Sequence, residues 1–290
     1  MPRSPRRAVP SADSLLEKLV SQIDERSAQP AADTVPTGFA SLDRVLAGGF
    51  RRKDLVVIAG DVGSGKSALG LGIAVRASGA GAPTTYLSAE MSPERVLERA
   101  LALEGKASVD DLRQGRLSEA NRALVGAAAV RLRHSPLVIR PLLGSGFDEL
   151  RSALDTVPRR QLLVVDSLEL TPPPRASTRL QERVAGAVRA LKSLALERDV
   201  VIVVLAQLPG HRAARPDPRP TLDDLGGFGA VKQHADVILM IYREEMYRPG
   251  QGVEGATELI VLKNRNGPTG MVDLYFYPQW LRFVDMLDVD

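Results

Sequence analysis

The chain has 290 residues, 44% apolar and 25% charged, enough for one α/β domain with a substantial core and a short appendage. It contains no cysteine, which excludes disulfides, thiolate catalysis and Cys-based zinc sites, and its histidines (His134, His211, His234) lack ligand spacing. The net charge is only +3, and Arg3, Arg6 and Arg7 precede the first acid, Asp13, so any nucleic-acid contact must rest on local placement of Arg and Lys.

No uninterrupted run of about 18 apolar residues exists, so no membrane span or membrane partner is expected. The basic start has no apolar stretch of the secretory type behind it, and a cytoplasmic protein is expected. Residues 1–10 read as a solvated Pro- and Arg-rich tail. A helix follows, with Leu16, Leu19, Val20 and Ile23 on one face and a Ser14–Glu17 capping box near its start. The stretch PAADTVPTG reads as a linker. A short helix isolated by a linker cannot bury its stripe alone, so it packs on its own domain or on a neighbour. Residues 1–34 are therefore assigned to tail, helix and linker, and 35–290 to the main domain.

From Thr37 onward strands and helices alternate. DLVVIAG reads as a buried strand and TTYLSAE as a second strand, and LVIRPL, QLLVVDS, VVIVVLAQ and DVILMIYR are further apolar runs rich in Val and Ile, with RLQERVAGAVRALKSLALER as a helix among them. Such alternation implies a mainly parallel sheet covered on both faces. The last segment, ELIVLKNRNGPTGMVDLYFYPQWLRFVD, reads as antiparallel strands turning at Asn266-Gly267 and at Pro278.

Gly60 to Ser67 fit the pattern GxxxxGK(S/T), between a predicted strand and a predicted helix, which is the context that makes it a phosphate-binding loop. Gly60, Asp61, Val62, Gly63, Ser64, Gly65, Lys66, Ser67 and Ala68 are the expected nucleotide-binding residues. Lys66 would neutralise the β- and γ-phosphates of ATP, and the Ser67 hydroxyl would ligate Mg²⁺. Asp166 ends an apolar strand at the sheet edge where ligands bind, and is the expected acidic Mg²⁺ partner. Glu90, at the end of TTYLSAE, and Glu169 compete for the role of catalytic base. Gln207, ending VVIVVLAQ, suits a γ-phosphate sensor or a solvated strand end. Lys263 and Arg265 lie in a distant turn, which is solvated or carries cations into a neighbour's site.

Taken together, PTGFASLDRVLAGGF, SAEMSPERV, VVLAQL, GAVKQHADVILMIYREE and KNRNGPTG resemble the C-terminal motor domain of DnaB-type replicative helicases, within the RecA-like P-loop ATPases. The resemblance runs from about Ser14 to Phe283. It implies a RecA-like fold with an N-terminal docking helix, and an ATP- and Mg²⁺-dependent motor acting on single-stranded DNA. It also implies a homo-oligomer, a hexameric ring closed by the Ser14 helix docking on the adjacent subunit. Glu90 becomes the catalytic base, Gln207 the γ-phosphate sensor, and Lys263 and Arg265 the cations reaching the adjacent subunit's site. Two departures are expected. The family's N-terminal primase-recruiting domain is missing, and the DNA-gripping loop carries Gly226 and Gly227 where helicases have an Arg-Glu pair. Lys232, or the loop with Arg212, Arg215 and Arg219, would substitute as phosphate contacts unless that loop is a solvated excursion. The departures leave a second function open, an ATPase switch or assembly factor that does not translocate.

Overall fold

The structure is a computed structural model that describes residues 11–28, 33–143, 146–155, 162–174, 177, 179–209, 214–226, 228–250 and 253–287. The basic tail of residues 1–10, Gly227 and Arg212 lie outside the described residues. The chain divides into two units, Met1–Thr34 and Val35–Asp290.

In the first unit, helix α1 (Ala12–Ala28) begins two residues before the expected cap. The Ser11 hydroxyl, not that of Ser14, accepts the Ser14 N–H at 3.2 Å and closes the first turn. The Ser14–Glu17 box is thereby corrected: Ser14 lies inside the helix, where its hydroxyl bonds back to the Ser11 carbonyl at 2.9 Å. Leu15, Leu16, Leu19, Val20 and Ile23 are all exposed by roughly half.

In chain order the remaining elements are β1 (Thr34–Val35), α2 (Ala40–Val45), β2 (Phe50–Arg51), β3 (Leu55–Gly60), α3 (Lys66–Gly79), β4 (Thr84–Ser88), α4 (Pro93–Gly105), α5 (Val109–Gln114), α6 (Glu119–His134), β5 (Leu137–Pro141), α7 (Phe147–Asp155), β6 (Leu162–Asp166), α8 (Leu180–Arg198), β7 (Val201–Gln207), α9 (Gly229–His234), β8 (Val237–Tyr242), β9 (Ala256–Asn264), β10 (Gly270–Tyr277) and β11 (Arg282–Asp285). The expected linker ends early, because Val35 and Thr37 are buried and the Asp43 carboxylate accepts the Thr37 N–H at 2.8 Å.

Nine strands form one sheet in the order β11-β10-β9-β8-β3-β7-β6-β4-β5. From β8 to β5 the strands are parallel, and β9 to β11 extend the sheet antiparallel. The all-apolar runs Leu55–Ala59, Leu162–Val165 and Val201–Ala206 are buried on both faces, as a parallel sheet covered by helices requires. One face packs around Phe39, Leu69, Ile73 and Tyr86, the other around Leu150, Val188, Leu191 and Leu225. The β9–β10 and β10–β11 turns fall at the expected places. The Asn264 side chain accepts the Asn266 N–H at 3.0 Å in the first, and Leu281, next to Pro278-Gln279-Trp280, has φ +52° in the second.

β3 lies between β7 and β8, so both its neighbours are reached by crossovers. In open α/β sheets the crevice outside the carboxyl end of such a strand is where ligands bind. That end of β3 is Gly60.

Candidate active site

The turn from Gly60 to Gly65 joins β3 to α3 and excludes side chains at two places. A Cβ on Gly60 would meet the Ser64 hydroxyl at 2.5 Å, and one on Gly65, which has φ +95°, would meet the Phe283 ring at 2.8 Å. The turn is thus packed tightly against the chain's own Ser64 and Phe283, and the N–H groups at the start of α3 have no partner within the helix. Lys66 Nζ is held over the turn by the Asp61 carbonyl at 2.8 Å. Burial pulls the Lys66 ammonium below its ordinary pKa, and the carboxylates of Glu169, Asp166, Glu90 and Asp61 oppose that pull. Among the described residues the buried Ser64 hydroxyl has no hydrogen-bond partner, which costs about 1–3 kcal/mol unless another group satisfies it.

A cleft of about 410 Å³ opens from this turn and brings together Lys66, Ser67, Glu90, Asp166, Glu169 and Gln207. Asp166 ends β6 and is 2% exposed. It accepts the Tyr86 hydroxyl at 2.7 Å and the Ser67 hydroxyl. Burial raises its pKa, those two hydrogen bonds lower it, and the neighbouring Glu90 raises it again. Asp166 and Ser67 thus pair a carboxylate and a hydroxyl, hard oxygen donors that fit Mg²⁺, beside the phosphate turn. The peptide bond from Asp166 to Ser167 is cis.

β4 ends at Ser88, so Glu90 is not strand-terminal as expected. It stands two residues further on, in the loop before α4, and its carboxylate accepts the Ser167 hydroxyl at 3.2 Å. Glu169 is engaged differently: its Oε1 accepts the Gln207 backbone N–H at 2.7 Å, fastening the Leu168–Leu170 turn to the end of β7. The Gln207 side chain is exposed at the cleft.

Lys263 and Arg265 are not in this cleft. Asn264 pairs with Val237, which pairs with Val56 near the start of β3, so both cations sit at the opposite edge of the sheet from Gly60.

Residues 34–285 match the family model of the DnaB-like helicase C-terminal domain. The chain belongs to that family. It is 32% identical over 257 residues to the replicative DNA helicase DnaC of Bacillus subtilis, covering 87% of this chain and 56% of that protein. It is 31% identical over 283 residues to the replicative DNA helicase DnaB of Leifsonia xyli, covering 95% of this chain and 62% of that protein. The chain thus spans little more than half of the relatives it matches. A separately solved ATPase domain superposes with a TM-score of 0.87 at 28% identity, covering 96% of this chain and all of that one. A DnaB-like replicative helicase solved in a study of its interactions with primase superposes with a TM-score of 0.85 at 27% identity, covering 94% and 70%.

This DnaB-like domain also places in the cleft residues that the sequence did not single out. Arg99 of α4 and Arg243, just past β8, both line it. Arg243 is 9% exposed, donates to the Gly63 carbonyl at 3.2 Å, lies over the Phe276 ring at 4.6 Å and pairs with Glu245, so it braces the phosphate turn from behind. Tyr247 hydrogen-bonds Asp61 on the same side. The motif YREE carried this information, but a strand-end Arg has no local signature that separates a brace from a solvated charge. Arg99 carries no signal in the sequence, because it lies within α4 and only the fold brings that helix to the cleft.

Of the basic residues expected to hold DNA, the three that are described, Arg215, Arg219 and Lys232, are paired within the chain. Arg215 bonds Asp224 at 2.8 Å, Arg219 bonds Glu258 through two contacts of 2.6 Å, and Lys232 bonds Asp223 at 2.8 Å. Gly226 has φ +53° and ends a Leu222–Leu225 turn closed by a Thr221–Asp224 capping box. No helix among the described residues is long and apolar enough to cross a membrane.

Proposed function

We propose that this domain hydrolyses ATP with Mg²⁺ in a hexameric ring of like subunits and drives movement along single-stranded DNA. The observation that carries the reading is the convergence of the phosphate turn with Asp166, Glu90 and Gln207 in one cleft, although they end or follow four different strands. Family membership supports the motor, and the relatives bear the names of replicative helicases.

Within this reading the turn and Lys66 cradle the ATP phosphates, and the Ser64 hydroxyl finds its missing partner there. Ser67 and Asp166 hold Mg²⁺, which when bound withdraws charge from the phosphate oxygens. Glu90 takes the proton of the attacking water, because Glu169 is already tied to the β7 backbone whereas Glu90, among the described residues, is oriented by the Ser167 hydroxyl alone. Gln207 stands at the strand end where an amide meets the γ-phosphate. Lys263 and Arg265, at the far edge of the sheet, complete the adjacent subunit's site rather than their own. The exposed stripe of α1 docks on a neighbouring subunit, which gives the apolar face a place to bury.

A second reading, a nucleotide-driven switch that does not translocate, draws on the self-paired Arg215, Arg219 and Lys232. ATP turnover by the purified protein, with and without single-stranded DNA at a stated salt concentration, separates the two. Stimulation by DNA is expected. Turnover without stimulation, and no binding of single strands at low salt with nucleotide present, would replace the motor with the switch.

A further inference from the structure

Asp236 is 2% exposed and lies between α9 and β8, at the sheet edge opposite the cleft. Its carboxylate gathers three segments. Oδ2 accepts the Leu55 N–H at 2.8 Å and Lys192 Nζ of α8 at 2.5 Å, while Oδ1 pairs with Arg265 at 2.9 Å. Its backbone N–H donates to the Leu55 carbonyl and its carbonyl accepts the Arg265 N–H, each at 2.8 Å. The turn that bears Arg265 is held a second time, by Asn266 donating to the Asp54 carboxylate at 2.7 Å. A bulge beside this anchor, where Ile238 faces Lys263 but Leu239 faces Val261, leaves Leu262 unpaired and re-aims the end of β9.

A buried carboxylate shared by two cations is a poor stabiliser, since desolvation consumes most of the Coulombic gain, but it fixes geometry strictly. Here the fixed geometry is that of Arg265 relative to Leu55. Leu55 begins β3, whose far end opens the phosphate turn about 17 Å away. We propose that Asp236 is a positioning residue that sets the guanidinium of Arg265 for the adjacent subunit's nucleotide and ties that setting to the strand beneath the subunit's own nucleotide. The inference rests on the reading that Arg265 acts in trans.

Complementation between subunits tests it. Co-assembled Glu90→Gln and Arg265→Ala subunits should turn ATP over faster than either alone, because one lends the cation and the other the base. This control tests the trans reading itself, and its failure overturns both. Asp236→Asn keeps the shape and one acceptor. It is expected to lose about 10- to 100-fold in kcat, the range for one charge-assisted hydrogen bond, with nucleotide affinity and ring size unchanged. It should also be complemented by Glu90→Gln, and the double variant with Arg265→Ala should be no slower than Arg265→Ala alone. If the control complements and Asp236→Asn does not, or if Asp236→Asn and Arg265→Ala lose rate additively, Asp236 is merely structural and the proposal falls. Should Asp236→Asn not fold, Lys192→Met loosens the same carboxylate and is expected to show the same complementation with a smaller loss. Wild-type turnover in that variant counts against the proposal.

Discussion

The two edges of the central sheet are built on opposite principles. At the carboxyl edge of β3 the polar groups are left with capacity to spare: among the described residues a buried Ser64 hydroxyl has no partner, Lys66 is held by one carbonyl, and Glu90 by one hydroxyl. At the amino edge the polar groups are committed. Asp236 binds Lys192, Arg265 and Leu55, Asp54 binds Asn266, and Lys263 donates to the Lys232 carbonyl at 2.7 Å. On the function proposed above, the first edge would accept a polyanion and keeps its donors available, whereas the second would present cations in a set direction and fixes them in advance. Catalytic pre-organisation depends on both, because donors placed before the reaction cost no reorganisation during it.

The largest break in this contrast comes from Lys66→Ala. Lys66 is held over the turn by the Asp61 carbonyl, whereas Arg243 is already tied to the Gly63 carbonyl and Glu245, so hydrolysis should fall at least about 100-fold with a sharp loss of nucleotide affinity, measured by steady-state turnover and equilibrium titration. Near-normal turnover would remove the phosphate-loop assignment. Next comes the pair of glutamates. Glu90→Gln should lower kcat by about 10²- to 10⁴-fold while nucleotide binding persists, and Glu169→Gln should stay largely active, since an amide oxygen still accepts the Gln207 N–H. A dead Glu169→Gln beside an active Glu90→Gln would reverse the two roles.

The committed edge has a pH signature. Burial, reinforced by the nearby Asp236, raises the Asp54 pKa from 3.8 to about 6. Between those values the folded chain binds more protons than the unfolded one, so this residue's contribution to stability is present at pH 4 and is lost as pH rises through 6. Asp54→Asn should remove that decline, a difference of up to about 3 kcal/mol between pH 4 and pH 7 in denaturant titrations of mutant against wild type. An unchanged pH profile would mean that Asp54 is solvated. The smallest effect is expected at Arg219, whose own side chain is 44% exposed and whose partners are a 20% exposed Glu258 and a 66% exposed Asp217. Arg219→Ala should cost only about 0.2–1 kcal/mol in thermal unfolding. If the arginine leaves Glu258 to hold a DNA phosphate, the salt slope of single-strand binding should also fall by about one unit, and an unaltered slope would leave it a surface ion pair.

Much of the cleft was legible because its residues carry local signatures. A glycine-rich turn between an apolar strand and a helix, and a carboxylate or amide closing an apolar run, place Lys66, Ser67, Asp166 and Gln207 at one sheet edge once the strands are parallel. Glu90 was found for an inexact reason, since β4 stops at Ser88 and the loop delivers it. The cap of α1 was misplaced by three residues, because Ser11 and Ser14 offer the same hydroxyl and only the backbone path decides between them.

What the sequence by itself determined is the alternation that folds the sheet and the chemistry at each strand end, because both are written in residues adjacent along the chain. Only the tertiary structure decided that Arg243 braces the phosphate turn 180 residues away and that Arg219 is taken by Glu258. It alone also decided that Asp236 joins α8, β3 and the β9–β10 turn. A charged side chain reads the same in sequence whether it faces solvent, a ligand or a buried partner. Its role is fixed only when strands far apart in the chain bring a second charge within about 3 Å of it, and that proximity follows from strand order, which no local pattern encodes.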